Sequence, residues 1–190
     1  LSDLPDELLI KVFGFLPSKD LLNTTLVCKK FNEIISDSQK LLSQFYIYFN
    51  RNLTHLEWIG SRKYSRVYLE SDKFEFYSNH LQSIKNSIQH FSVYEIGSAI
   101  LFDFLVLCPN VTSLHLQETK ISDEITENHE LPEWNLDTLT LRASKESNLK
   151  PFFVILQKSK IKNLSLEFSY EKEFDEIKKF LCHHQELKEL

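Results

Sequence analysis

A regularly spaced triplet of apolar residues constrains the fold of this chain more than any other feature of its sequence. The triplet has the form apolar-x-x-apolar-x-apolar, and its successive copies begin at Tyr64, Ile88, Val111, Leu136, Ile161 and Leu187. Consecutive copies are 23–26 residues apart. A period of this length is typical of a solenoid, in which each repeat buries its apolar face only by stacking on its neighbours.

Each triplet predicts a short β-strand. The first apolar residue lies at the start of the strand, and the other two point to one face of the sheet because side chains alternate between faces. Helical apolar patterns separate the strands, at residues 74–88, 100–107, 152–156 and 174–181. The polar and acidic stretch at residues 120–134 predicts a poorly formed helix or a loop.

The remaining strand positions should point away from the apolar layer and form a mixed polar and aromatic surface. Such a surface suits a protein partner, although simple solvated strand faces would give the same pattern. The candidate target-binding residues on it are Arg66, Tyr68, His90, Tyr94, His115, Gln117, Thr140, Arg142, Ser165 and Glu167. A phosphorylated target would favour a cluster of arginines, and Arg66 and Arg142 lie several repeats apart.

The first part of the chain has a different, helical pattern. Leu4-Pro5 followed by Asp6-Glu7 predicts a helix start, because proline suits the first turn and carboxylates suit the positive end of the helix dipole. Pro17 ends this helix, Ser18 is predicted to cap a second helix, and a third is predicted over Val27–Ile35. These short helices carry more large apolar residues than they can bury among themselves. An exposed apolar patch, which usually marks a partner site, is therefore expected.

This segment resembles an F-box. Its residues L-P-x-E-L-L-x-x-V-F-x-x-L-P-x-x-D-L-L, followed by V-C-K-x-F, match the family's motif over roughly Leu4 to Ser38, with Phe31 where the family more often has Trp. The resemblance implies docking onto a Skp-type adaptor of cullin–RING ubiquitin ligases. The implied adaptor-binding residues are Leu4, Pro5, Leu8, Leu9, Val12, Phe13, Leu16, Leu21, Leu22, Val27, Cys28 and Phe31. Some of them must also hold the helices together. The alternative is a three-helix cap on a larger core, with all of its apolar residues internal.

The repeats resemble those of leucine-rich-repeat proteins, most clearly at Cys108 to Leu116 (C-P-N-V-T-S-L-H-L). At the ninth repeat position, which that family often fills with Asn or Cys, this chain has Asp72, Ile96, Thr119, Ser144 and Ser169. The implied fold is α plus α/β. An N-terminal three-helix F-box and a linker helix (residues 1–50) precede a leucine-rich-repeat horseshoe (residues 51–190) of about five to six repeats, with parallel strands on its concave side and helices on its convex side. The last triplet stops inside a repeat, so we expect further repeats in a longer protein.

An F-box followed by such repeats is similar to the F-box leucine-rich-repeat family. The resemblance implies a non-catalytic substrate receptor of an SCF-type (Skp–cullin–F-box) ubiquitin ligase. The F-box would bind the Skp-type adaptor and, through it, the cullin and RING subunits, while the repeats hold a target protein for ubiquitination and proteasomal degradation. The alternative is a scaffold or interaction protein that acts outside ubiquitin ligation, and the sequence does not discriminate between the two.

Composition and charge set the remaining expectations. The net charge of −5 argues against a nucleic-acid partner, which normally requires a basic face. Three cysteines without paired spacing favour reduced thiols in the cytoplasm or nucleus, and their apolar surroundings predict that they are buried. No apolar run has the length of a membrane span. His183-His184 near Cys182 lacks a second cluster with metal-ligand spacing, so no metal site, cofactor or catalytic residue is predicted.

Overall fold

The structure is a computed structural model. It describes residues 3–50, 62–70, 81–119, 132–143, 149–167, 174–184 and 186–187. Within these residues an N-terminal group of helices, the helical domain, precedes a parallel β-sheet whose one face is packed with helices, the sheet domain.

The helical domain contains the three predicted helices and one more. They are α1 (Asp6–Phe13), α2 (Ser18–Thr24), α3 (Lys29–Asp37) and α4 (Gln39–Leu42). Pro5 and Pro17 stand immediately before α1 and α2, where their fixed φ is compatible with the start of a helix. The carbonyl oxygen of Pro5 accepts hydrogen bonds from the amides of Leu8 and Leu9 (3.0 and 3.1 Å), which begins the α1 ladder.

The serine that caps a helix is not the predicted one. Ser18 is the first residue of α2, and its hydroxyl donates to the carbonyl oxygen of Gln44 (2.8 Å). The hydroxyl of Ser38 instead accepts a hydrogen bond from the amide of Leu41 (3.4 Å) and caps α4. The prediction for Ser18 is therefore wrong, because its side chain ties α2 to the segment after α4.

The helical domain has an apolar core of its own. The core residues are Leu9, Phe13, Leu21, Phe31, Ile34, Ile35 and Leu41. The rings of Phe13 and Phe31 meet edge to face with their centroids 5.0 Å apart. The ammonium group of Lys30 donates to the carbonyl oxygen of Leu4 (3.1 Å) and lies 3.3 Å from the carboxylate of Asp6, which joins α3 to the start of α1. Because helices this short are marginal in water, the shared core is what stabilises them.

The sheet domain is built on six parallel strands that lie in the order in which they occur along the chain. The strands are β1 (Tyr46–Asn50), β2 (Arg66–Glu70), β3 (His90–Tyr94), β4 (Ser113–Thr119), β5 (Asn135–Ala143) and β6 (Lys160–Glu167). The second apolar positions of the triplets are in register, so that Val67, Phe91, Leu114, Leu139 and Leu164 are successive partners. Five predicted strands are therefore present. The sixth triplet begins at Leu187, which packs against the core, and residues 188–190 lie outside the described part of the chain.

The first strand, β1, lies in the segment that the sequence assigned to the F-box and its linker. β1 pairs with β2 in the register Tyr46↔Arg66, and its Ile47 and Phe49 are buried like the apolar residues of the other strands. Ile47 and Phe49 occupy the second and third positions of a triplet, but its first position is the polar Gln44. The apolar pattern therefore does not reveal this strand. The sheet thus begins at Tyr46, so the predicted division between residues 1–50 and 51–190 falls after this strand instead of before it.

In the described part of the chain, helices cover one face of the sheet. A helical turn at residues 81–84 leads into the 3₁₀ helix Lys85–Ser87, and α5 (Ser98–Val106), α6 (Lys150–Leu156) and α7 (Phe174–His183) lie between or after the later strands. These helices and the inward strand residues form one apolar core. Alternate residues of β2 and β3 are buried, and the residues between them are partly exposed. A parallel sheet in chain order with one open face is the arrangement expected when identical units stack side by side.

Two predicted features of the connections fall only partly within the described residues. The apolar positions of the first predicted helix begin at Phe74, which lies outside them, as do residues 120–131 of the predicted loop. Of the ninth repeat positions, Ile96 and Thr119 are described and both are buried. Asp72, Ser144 and Ser169 lie outside the described part.

The residue before each of these two buried positions has a left-handed backbone. Glu95 has φ 53° and Glu118 has φ 51°. At Glu118 the left-handed conformation coincides with an irregularity in the sheet, because the register between β4 and β5 shifts between Gln117 and Thr119. It follows that a non-glycine residue is held in a strained conformation so that the next side chain enters the core.

Candidate functional site

The twelve residues predicted for adaptor binding divide into a surface group and a core group. The exposed members are Pro5, Leu8, Val12, Leu22 and Val27, and Leu4, Leu16 and Cys28 are partly buried. The buried members are Leu9, Phe13, Leu21 and Phe31. Because these four side chains fill the core between the helices, they are not available to a docked partner, and their predicted role as direct contacts does not fit the structure.

Two strongly exposed apolar residues were missing from the predicted set. Phe15 is 89% exposed and Leu26 is 83% exposed. Phe15 follows the end of α1, where its amide donates to the carbonyl oxygen of Val12 (3.2 Å), and Leu26 follows the end of α2, where its amide donates to that of Asn23 (3.0 Å). The helices end before these residues, so the turns aim both side chains outward. A helical period alone does not reveal this.

The exposed large apolar side chains of the helical domain make up what we call the apolar surface. Its members are Leu8, Val12, Phe15, Leu22, Leu26 and Val27. Leu8 and Val12 lie four residues apart in α1, so these two side chains share one side of that helix. The surplus of large apolar residues in this segment of the sequence predicted such a surface. Exposed apolar area of this kind marks an interaction site.

The helical domain is joined to the sheet by side-chain packing. Phe45 packs against the cores of both domains, and its ring meets that of Tyr64 edge to face with centroids 6.3 Å apart. The guanidinium of Arg62 donates to the side-chain oxygen of Asn32 in α3 (2.5 Å). Residues 51–61 lie outside the described part of the chain, and the described contacts between the two domains come from Phe45 and Arg62.

The face of the sheet that helices do not cover, the open face, carries all ten residues predicted for target binding. The strand pairing aligns them in three rows across the sheet. The first row is Tyr46, Arg66, His90, Ser113, Thr138 and Asn163; the second is Tyr48, Tyr68, Ser92, His115, Thr140 and Ser165; the third includes Asn50, Glu70, Tyr94, Gln117, Arg142 and Glu167. Tyr46 and Tyr48 were not predicted because β1 was not recognised.

Aromatic rings dominate the open face at β1 and β2. The rings of Tyr48 and Tyr68 stack with centroids 4.7 Å apart and an angle of 12° between their planes. The guanidinium carbon of Arg66 lies 5.2 Å from the centroid of the Tyr46 ring, and the same side chain donates to the Tyr46 hydroxyl (2.9 Å). The Tyr48 hydroxyl donates to the carboxylate of Glu70. These neighbours fix the rings at the surface and leave their outer faces available.

Carboxylates around the tyrosines set the local electrostatics. The hydrogen bond to Glu70, together with burial and the charge of that carboxylate, raises the pKa of Tyr48 to about 12. Burial and then the charge of Glu70 raise the pKa of Tyr68, and the charge of Glu95 is the main cause that raises the pKa of Tyr94. All three phenols are therefore neutral at pH 7, in a region of negative potential.

Ion pairs and small polar groups occupy the other end of the open face. The Nε of Arg142 lies 3.2 Å from the carboxylate of Glu118 and 3.3 Å from that of Glu167. The hydroxyl of Ser113 lies 2.9 Å from Nε2 of His115. Burial is the largest cause lowering the pKa of both His90 and His115, so neither imidazole adds a positive charge at pH 7.

His184, Cys108 and Cys182 lie outside the open face and differ in their burial. His184 is buried and packs against the ring of Phe180 (4.4 Å between centroids), and burial is the main cause that lowers its pKa. Burial also raises the pKa of the Cys108 thiol to about 12. Cys182 is exposed, so the prediction that all three cysteines are buried is wrong for this residue.

Neither a metal site nor a membrane-spanning helix occurs in the described part of the chain. No group of three or more His, Cys, Asp or Glu side chains among those residues is placed to hold a metal ion. None of the described helices is long and apolar enough to cross a membrane.

A protein-family model matches the N-terminal part of the chain. Residues 1–48 match the family model named F-box-like. The matched residues include all of α1 to α4 and the whole apolar surface, which supports an F-box protein. F-box domains are typically non-catalytic modules that commonly bind Skp-type adaptors. No curated protein matches the chain.

Proposed function

We propose that this chain is the substrate-recognition subunit of an SCF-type ubiquitin ligase. The helical domain binds a Skp-type adaptor, and through it the cullin and RING subunits, while the sheet domain holds the target protein. The observation that carries the proposal is the apolar surface, six large exposed side chains within the segment that matches the F-box-like family.

Burial of the apolar surface against a partner would release enough free energy to support binding. Removing one Leu, Val or Phe side chain from water is worth about 1.5–3 kcal/mol when burial is complete. Several such residues together offset the loss of translational and rotational freedom that association costs. The Phe15 and Leu26 side chains have the most area left to bury, so they should be the strongest anchors.

The sheet domain is proposed to be a leucine-rich-repeat array, with its open face as the concave side. Support comes from the 23–26-residue spacing of the triplets, from the strand order and from the helices on one face. The domain boundary is proposed to lie between α4 and β1. The subunit makes and breaks no bonds, because its task is to raise the effective concentration of a target beside the ligase's catalytic subunits.

The cytoplasm, the nucleus or both are the proposed location of the protein. The three cysteines are free thiols, as expected where glutathione keeps thiols reduced. Ubiquitin ligation by cullin–RING complexes takes place in the same compartments.

Adaptor binding is tested with the purified chain, a purified Skp-type adaptor and two variants of the apolar surface. Phe15→Asp and Leu26→Asp should each weaken binding about 30-fold or more, since each places a charge where an apolar anchor is buried. Gln39→Asp is the matched control, because it adds the same carboxylate at an exposed polar position of α4 and should bind like the wild type. Isothermal calorimetry gives the affinities, and circular dichroism checks that each variant is folded.

The outcome decides between the proposal and its alternatives. If the folded wild-type chain does not bind the adaptor, the adaptor role is wrong and the helices form an internal cap. If both variants bind the adaptor as tightly as the control, the contact does not use Phe15 and Leu26, and the apolar surface no longer supports the proposal. If the chain–adaptor complex is formed but does not co-elute with a purified cullin, the scaffold function outside ubiquitin ligation is favoured.

A further inference from the structure

We infer that the open face binds a basic segment of the target protein, with an arginine or lysine side chain seated against Tyr68 and Tyr94 between the carboxylates of Glu70 and Glu95. The inference rests on the proposed function, because it names the partner chemistry of the same sheet face. We call these four residues, together with Tyr48, the tyrosine–carboxylate site.

The aromatic half of this site is held in place by its neighbours. Tyr48 and Tyr68 stack in parallel, and the hydroxyl of Tyr48 is fixed by Glu70. Tyr94 continues the surface on β3, one strand further along the sheet. Ordered tyrosines lose little conformational entropy on binding, and they are among the residues that most often carry the energy of protein interfaces.

The carboxylates of the site lack a cation. Neither Glu70 nor Glu95 forms an ion pair with any residue in the described part of the chain. The backbone of Glu95 is fixed in a left-handed conformation, and its amide donates to the carbonyl oxygen of Gln117 (3.1 Å). Both negative charges therefore stand at defined positions beside the rings, and a basic partner is complementary to them.

The rest of the open face shows how a guanidinium is held by the same two kinds of group. Arg66 lies over the ring of Tyr46, which is an aromatic contact with a cation. Arg142 lies between Glu118 and Glu167, which is an ion pair with carboxylates on two sides. The tyrosine–carboxylate site shares β1 and β2 with the first pair, extends to the end of β3, and combines both chemistries, but no described residue supplies its cation.

An anionic or purely apolar partner fits this part of the face less well. Both arginines of the face are already engaged by Tyr46 and by the two glutamates, and His90 and His115 are kept neutral at pH 7 because burial lowers the pKa of each. The same negative potential that raises the pKa of Tyr94 would repel an acidic ligand. A cation near an aromatic face gains from the ring's quadrupole, and arginine gains further because its plane stacks on the ring.

The probe for the test is a short fluorescein-labelled peptide in which arginine alternates with glycine and serine. The same peptide with citrulline in place of arginine has nearly the same shape without the charge. Anisotropy is measured with the full chain at physiological salt, where non-specific attraction between exposed charges is screened. The arginine peptide should bind at least about tenfold more tightly than the citrulline peptide, since hydrogen bonds to charged groups are the stronger ones.

Three variants locate the bound peptide. Glu70→Gln/Glu95→Gln should weaken binding about tenfold while it keeps an acceptor for the Tyr48 hydroxyl. Tyr68→Leu should weaken binding about threefold or more, whereas Tyr68→Phe should retain it, because the contact requires the ring and not the hydroxyl. The matched control is Asp175→Asn/Glu186→Gln, which removes two exposed carboxylates elsewhere in the sheet domain and should leave binding unchanged.

Each contrary outcome overturns the inference. Equal binding of the arginine and citrulline peptides would show that charge is not recognised. If Glu70→Gln/Glu95→Gln and the control Asp175→Asn/Glu186→Gln weaken peptide binding equally, the peptide is attracted only by the net negative charge of the chain. If the folded wild type does not bind the arginine peptide, the site is refuted directly. The affinity for the adaptor is measured on the same samples, to separate the proposed function from the proposed peptide site. If adaptor binding is retained while any of these outcomes is seen, only the peptide site is refuted.

Discussion

Phe13 and Phe15 lie two residues apart at the end of α1, and the structure gives them opposite roles. Phe13 is 4% exposed and meets the ring of Phe31, whereas Phe15 is 89% exposed. The same side chain thus contributes to folding at one position and is available for binding at the other. Both residues are phenylalanines, so the residue type does not tell which of them is buried. The difference in burial arises because the helix ends at Phe13.

The difference between these two residues is directly measurable. Phe13→Ala should lower the free energy of unfolding of the helical domain by about 3–5 kcal/mol, because it leaves a cavity beside Phe31. Phe15→Ala should change stability by no more than about 0.5 kcal/mol, as is usual for surface positions, and should weaken adaptor binding instead. Urea unfolding followed by circular dichroism gives the first quantity. A comparable destabilisation by Phe15→Ala would mean that this side chain packs inside the domain.

At the scale of the single element, the sequence predicted what depends on local spacing. The strands that begin near Tyr64, Ile88 and Val111 were predicted because their inward residues repeat with a regular period. β1 was not, because the polar Gln44 stands where the pattern requires an apolar residue. The capping role of Ser18 also failed, since its hydroxyl instead donates to a carbonyl 26 residues away. Local patterns thus give the existence and type of an element, and distant partners decide its ends.

The left-handed backbone at Glu95 and Glu118 is a property of the strand ends that the local sequence does not predict. Glycine is the usual residue at positive φ, and the strands reach this conformation at Glu95 and Glu118 without it. The conformation is enforced by the buried side chain that follows, which is Ile96 after Glu95. The burial of that side chain offsets the strain, so tertiary packing overrides the local preference.

Substitution at Glu95 should expose this strain. Glu95→Val should destabilise the sheet domain by about 1 kcal/mol or more, because a β-branched residue tolerates the left-handed region poorly. Glu95→Gly should be neutral or stabilise by up to about 1 kcal/mol, since relief of strain competes with the greater entropy of glycine in the unfolded chain. Thermal and urea unfolding of the two variants measure both effects. Equal destabilisation by valine and glycine would mean that the lost glutamate side chain, and not the backbone, is responsible.

At the scale of the whole molecule, two apolar cores share one residue. Phe45 packs against the core of the helical domain and against that of the sheet domain, and Arg62 adds a hydrogen bond to Asn32. No pattern in the sequence links Arg62 to Asn32, because the two residues are 30 positions apart. Contacts between residues so far apart in the chain do not produce a periodic pattern from which they could be predicted.

This joint should make the two domains unfold together. We expect a single calorimetric transition for the wild-type chain and two resolved transitions for Phe45→Ala/Arg62→Ala, because that variant removes the shared ring and the bridging hydrogen bond. Lys63→Ala, at an exposed neighbouring position, is the control and should unfold like the wild type. One transition in the double variant, merely at lower temperature, would show that other contacts couple the domains.

The alternation of buried and open side chains along each strand has a consequence for protein engineering. Inward positions such as Val67 and Leu69 supply the packing, whereas outward positions such as Arg66 and Tyr68 contribute little to it. Since every strand touches only its neighbours in the chain order, and the outward contacts join adjacent strands, the outward residues of two or three adjacent strands can be exchanged together while the inward packing is kept. A library confined to those outward positions would therefore sample new binding preferences on an unchanged scaffold.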